Sequence, residues 1–79
     1  MIRVLFFGPV ADRVGSNALQ VEYRQGMKLQ ALHDELSALY PQAFEIVCFA
    51  AVNGEHVRDM SLTLVDNSEV AFMAKFSGG

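Results

Sequence analysis

The part of this chain with a chemistry of its own is its end, Phe76-Ser77-Gly78-Gly79. A Gly-Gly end is ordinarily just a small, frayed terminus. Here it follows Glu69 to Lys75, a stretch with strand character, and no polar linker intervenes, so the tail is expected to project directly from a rigid sheet edge. Glycine has no Cβ and accepts nearly any backbone geometry, which lets such a tail thread a narrow channel in a partner enzyme. The Gly79 carbonyl is sterically open, but a carboxylate is a poor electrophile. Chemistry there requires activation, most simply as an acyl-adenylate that a sulfur or amine nucleophile then attacks.

The other reactive side chains do not assemble into a site. Cys48 lies alone in an apolar run and reads as a small buried hydrophobe. His33 sits beside the apolar stripe of a helix and His56 follows a turn; with Cys48 they make no metal-ligand spacing, and structural roles outweigh ligation. Asp34-Glu35 falls on the solvent side of that helix, where no cleft desolvates a carboxylate pair. The methionines other than Met73 read as an initiator and gap-fillers. With neither a nucleophile-base pair nor a phosphate loop, the chain is not expected to be an enzyme on its own, to bind a cofactor or to hold a metal.

The elements that must position the tail follow from pattern. Seventy-nine residues, 52% hydrophobic and 19% charged, make one small core, expected as a single domain over 1–79 with 76–79 as its flexible tail. Nine Asp+Glu against six scattered Lys+Arg give a net charge of -3, the wrong sign for tracking phosphate, so neither nucleic acid nor a membrane is an expected partner. A lone cysteine and an opening apolar run too short for a signal peptide point to the cytoplasm. Ile2 to Phe7 reads as a strand stopped by Gly8-Pro9, Val10 to Val14 as a short helical turn, and Leu19 to Tyr23 as a half-buried strand pairing with the first. From Met27 to Tyr40, Leu29, Leu32, Leu36, Leu39 and Tyr40 recur at helical spacing, with no Ser, Thr or Asp cap at the start and Pro41 at the end. Ile46 to Val52 reads as a strand, Asn53-Gly54 as a type I′ turn, His56 to Arg58 as a short return strand and Glu69 to Lys75 as the last. The order is β-β-α-β-β-β, an α+β domain with one main helix.

One helix covers one face of a sheet. Alternation puts Ile2, Val4 and Phe6 on one side and Arg3, Leu5 and Phe7 on the other; in the last strand it separates Val70, Phe72 and Ala74 from Glu69, Ala71, Met73 and Lys75. The charges mark the outer side, so Leu5, Phe7 and Met73 are expected there as an exposed apolar patch, the mark of a protein interface; a covering loop is the alternative.

The opening Met1-Ile2-Arg3-Val4-Leu5-Phe6-Phe7, Val14-Gly15, Ala50-Ala51-Val52-Asn53, and Asp66-Asn67-Ser68-Glu69-Val70-Ala71-Phe72 with the final Gly78-Gly79 together resemble the small sulfur-carrier subunit of molybdopterin synthase, within the ubiquitin-like β-grasp proteins. The resemblance implies a mixed sheet of four to five strands with the helix packed on one face. It implies a carrier cycle in which an adenylyltransferase of the ubiquitin-activating type consumes ATP to adenylate Gly79. A sulfur donor then leaves a thiocarboxylate, which gives its sulfur to cyclic pyranopterin monophosphate inside the large synthase subunit, the complex being a heterotetramer. Gly78 supplies slenderness to the tail. By position Phe7, His56 and Met73 match places where the family meets its partners, with Leu5, Lys75 and Phe76 added as partner contacts. His56 and Ala74-Lys75, the latter standing where the family often has two prolines, depart from the pattern; Lys28 replaces a common capping Thr and Asn67 a usual Gly. The nearest alternatives are a thiamine-pathway sulfur carrier or a ubiquitin-like modifier, and, from a different class, a binding-only β-grasp module.

Overall fold

The structure, a computed structural model, describes residues 1–75; the Phe76, Gly78 and Gly79 assignments lie outside the described residues. Eight elements follow one another: β1 (Ile2–Phe6), α1 (Gly8–Val14), β2 (Ala18–Val21), α2 (Leu29–Leu39), α3 (Pro41–Phe44), β3 (Val47–Val52), β4 (Glu55–Val57) and β5 (Glu69–Ala74). The strands form one sheet in the order β2-β1-β5-β3-β4. Its central pair, β1 and β5, is parallel, with Val4 beside Val70 and Phe6 beside Phe72; every other neighbour is antiparallel.

The alternation in β1 and β5 translates directly into burial. Ile2, Val4, Phe6, Val70, Phe72 and Ala74 are buried and meet Leu29, Leu32 and Leu36 of α2 in one core. Aromatic edges close its tail end: Phe44 meets the rings of Phe72 at 5.1 Å and Phe6 at 6.4 Å between centroids, and His33 stands edge-on to Phe44 at 5.2 Å. His33 is thereby half-buried by packing, in agreement with its structural reading. Leu39 is not part of the stripe. It is 66% exposed in the last turn of α2.

Both prolines open helices rather than merely ending the preceding element. Pro9 and Pro41 occupy the first turns of α1 and α3, where a missing N–H leaves no bond unmade. The uncapped start of α2 also has a tertiary explanation. The N–H groups of Leu29 and Gln30 donate to the carbonyls of Leu62 and Met60, at 2.9 and 2.8 Å, so a loop far along the chain performs the capping that Lys28 does not. Replacing Lys28 with Ser gives the next N–H, that of Ala31, a side-chain acceptor. We expect a gain of about 0.5 kcal/mol, the low end for a cap because two donors are already satisfied, read as a raised urea midpoint at unchanged slope.

Asn53 and Gly54 both take positive φ, 50° and 86°, which confirms the type I′ turn between β3 and β4. Asn67 holds φ 67° in the turn before β5, as expected of an Asn standing in for Gly. Beside it, the amino group of Met1 donates to Asp66 Oδ1 at 2.7 Å; that contact, with the Asn67 N–H, holds the Asp66 carboxyl below the usual carboxylate range and pins the start of β1 to the start of β5. No helix among the described residues is long and apolar enough to cross a membrane.

Candidate functional site

The sheet face away from α2 carries the expected apolar patch, and the strand registers put it in order. Leu5 pairs with Ala71, Ala71 with Ala51, and Ala51 with His56, forming one row across β1, β5, β3 and β4. Met73 pairs with Phe49, and Phe7, next after the Phe6–Phe72 pair, falls on its other side; these make a second row, Phe7, Met73, Phe49. Arg3 and Glu69 stand beside each other one row further back. Charge therefore lies at the end where β5 begins, and aromatic and thioether surface lies at the end where it stops, next to Lys75.

Phe7 is 46% exposed and Phe49 43%, while Leu5, Ala71 and Met73 are half-buried among their neighbours. No loop among the described residues closes over Phe7 or Phe49. Lys75 is exposed immediately after β5, so its charge stands at the exit of the tail. His56 is exposed on the same face and its ring meets that of Phe49 edge-on at 6.0 Å; the departure at this position thus keeps an aromatic surface. The structure brings Leu5, Phe7, His56, Met73 and Lys75 together on one face or at its tail end.

Phe49 was not anticipated, and Cys48 is a correction. The expectation placed Cys48 in the core, yet it is exposed. The cause is a register irregularity between Val47 and Phe49, where β3 carries an extra residue against β5 and the regular alternation breaks. The run Ile46-Val47-Cys48-Phe49-Ala50 is apolar throughout, so its sequence contains no alternation from which a bulge could be read. The signal that could have found Phe49 is pairing: once β3 lies against β5 with Ala50 beside Phe72, Phe49 must share the face of Met73.

The described residues contain no cluster of three or more His, Cys, Asp or Glu side chains able to hold a metal.

Comparison with known proteins agrees with this geometry. No curated protein matches the chain by sequence. In structure it is similar to SAMP1 from Haloferax volcanii, with a TM-score of 0.83 at 19% identity over 99% of this chain and 98% of that one. It is similar to the putative molybdopterin converting factor subunit 1 from Pyrococcus furiosus, with a TM-score of 0.83 at 20% identity over 95% and 97%. A third likeness is to the complex of subunits 1 and 2 of the molybdopterin-converting factor from Helicobacter pylori, with a TM-score of 0.66 at 22% identity over 99% and 97%. These likenesses establish the ubiquitin-like β-grasp fold. The model of the ThiS family matches residues 4–79, nearly the whole chain and through its Gly-Gly end, and the chain belongs to that family.

Proposed function

We propose that the chain is the sulfur carrier of a molybdopterin synthase, with Gly79 as the carrier atom's site. The observation that carries the reading is the placement of the Phe7–Met73–Phe49 row at the end of the sheet where the central strand β5 stops, not at the sheet edge expected from the sequence. Residues 76–79 follow in sequence, so that one docking event on the apolar face delivers the tail. In the proposed cycle the Gly79 carboxylate attacks the α-phosphate of ATP on an activating enzyme and pyrophosphate leaves. A sulfur nucleophile then attacks the acyl carbon, AMP leaves, and a thiocarboxylate remains. Inside a large synthase subunit, in the cytoplasm, that sulfur bonds to cyclic pyranopterin monophosphate in place of an oxygen substituent, and water then cleaves the acyl–sulfur bond, leaving the sulfur on the pterin and returning the Gly79 carboxylate. Gly78 keeps the tail thin enough to enter, and this chain contributes no acid or base. The Helicobacter pylori likeness, itself a complex of subunits 1 and 2, supports a large-subunit partner.

Phe7 gives this docking surface a clean test. It is the N-cap of α1 and its carbonyl accepts from Val10 and Ala11, so Ser at that position keeps, and as a cap suits, the local backbone. Phe7→Ser is expected to leave the urea midpoint unchanged or raised and to weaken large-subunit binding by about tenfold or more, the loss typical of a central aromatic anchor.

A second reading is favoured by the likeness to SAMP1, a small archaeal modifier protein: a ubiquitin-like modifier whose activated tail is attacked by an amine instead of accepting sulfur. A thiamine-pathway carrier shares the same family and tail. The acceptor separates them. Supplying this chain to cells that lack their small synthase subunit should restore molybdenum-enzyme activity. Restored thiamine-independent growth in carrier-deficient cells, or chains attached to lysines through Gly79 without molybdenum-enzyme rescue, would replace the proposal by the corresponding alternative.

A further inference from the structure

β3 outruns its edge partner. Its ladder with β4 covers Ala50–Val52, although the strand starts at Val47, so among the described residues no strand lies beside Val47–Phe49 on the β4 side. An uncovered edge of this kind presents unpaired backbone N–H and C=O groups. Opposite it stands α2, and between the two runs a groove of about 590 Å³ whose apolar lining includes Val47, Val57 and Met60. Three of the other lining side chains are Arg58, His33 and His56. Among the described residues no carboxylate lines the groove, although Asp and Glu outnumber Lys and Arg nine to six in the chain. Asp34, whose Oδ1 is 3.5 Å from His33 Nδ1, stands beside the groove and outside its lining.

We propose that this groove binds an extended acidic segment of another protein, which adds as a strand beside Val47–Phe49. The backbone of the segment takes up the open edge of β3. Alternate side chains then point to opposite faces, so one set reaches the apolar lining while carboxylates of the other meet Arg58 and the imidazole N–H groups of His33 and His56. Arg58 is charged at every physiological pH and can hold a carboxylate with two parallel bonds. Phe49 and His56 also belong to the outer face, so the groove continues that surface around the sheet edge. The chain's own tail is the less suitable occupant: Ala74 is paired to β3 from the opposite side, and residues 76–79 carry no acidic side chain. This inference concerns a second contact and stands apart from the chemistry of Gly79.

The test is a titration of the full chain with a short acetylated peptide alternating valine with aspartate, followed by amide chemical shifts, beside a control with asparagine for aspartate. Saturable shifts are expected at Cys48, Ala50, Val57 and Met60, with the control about tenfold weaker, the worth of a charge-assisted hydrogen bond. Arg58→Ala, an exposed substitution, should remove that advantage and leave the control unchanged. Absence of saturable shifts at millimolar peptide, shifts centred on Leu5, Phe7 and Met73, or an unaltered preference in Arg58→Ala would overturn the proposal. So would groove shifts without peptide that depend on protein concentration, which assign the groove to a second copy, or that vanish in a chain ending at Lys75, which assign it to the tail.

Discussion

A chain ending at Ser77 should bind the large synthase subunit, unfold at the same urea midpoint as the full chain, and deliver no sulfur. Binding survives because the apolar rows of the outer face, Leu5–Ala71–Ala51–His56 and Phe7–Met73–Phe49, lie wholly within β1, β3, β4, β5 and the residue after β1. Stability survives because every buried side chain of the described core precedes Lys75. Under the proposed cycle delivery fails because the new terminal carboxylate, on Ser77, is set back by the length of Gly78-Gly79 and carries a side chain where the proposal has a bare glycine enter the partner. The expected loss is complete within the sensitivity of a molybdopterin assay. If function survives the truncation, the chain works by binding alone and the tail is a frayed end. Loss of binding together with function would instead place the main contact in the tail rather than on the sheet.

The second large effect lies in the core. Phe72 is fully buried at the centre of β5, against Phe44 and His33, and shares its row with Phe6 and Ala50. Truncating a buried Phe to Ala removes its transfer free energy and leaves a cavity, together about 3–5 kcal/mol. At roughly 0.05–0.15 kcal/mol per residue, 79 residues have about 4–12 kcal/mol in total, so Phe72→Ala consumes a large share of the stability. In a urea titration it should unfold near zero denaturant or with its midpoint moved most of the way there, whereas Phe72→Leu, closer in volume, should lose about 1.5 kcal/mol or less. A cost under about 1 kcal/mol for Phe72→Ala would contradict the packing described for β5 and α2. Because β5 also sets the exit of the tail, this variant links core packing to delivery: lowered temperature or a stabilising partner should recover its function, which no condition recovers after loss of Gly79.

What the sequence disclosed about this fold depended on whether an element has one buried face. β1 and β5 alternate, so their core and outer sides were legible before any pairing was known, and Leu5, Phe7 and Met73 appeared on the predicted side. The Asn53-Gly54 turn was legible because only a turn with two positive φ values calls for that dipeptide. β3 was misread at Cys48 because an unbroken apolar run gives no phase, and a bulge is a tertiary decision made by pairing with β5. Leu39 continues the helical period but sits in the last turn of α2, beyond the reach of the sheet. The cap on α2 could not be read locally at all, since its acceptors lie some thirty residues away at Met60 and Leu62. Gly8-Pro9 and Pro41 were read as stops, while their positions in the first turns of α1 and α3 show the other property of proline, a φ already suited to helix initiation.

The site was partly legible for the same reason. Its residues on alternating strands were visible, Phe49 was hidden by the bulge, and the row structure that connects them to the tail exists only once β1, β5, β3 and β4 are in register.

Whether Gly79 carries sulfur is read from the intact mass of the full chain after incubation with an adenylating enzyme, ATP and a sulfur source. A sulfur carrier gains mass equal to one exchange of oxygen for sulfur, localised by fragmentation to Gly79 and absent when ATP is omitted. An unchanged mass with active enzyme, or a sulfur found on Cys48 instead of the terminus, would contradict that role.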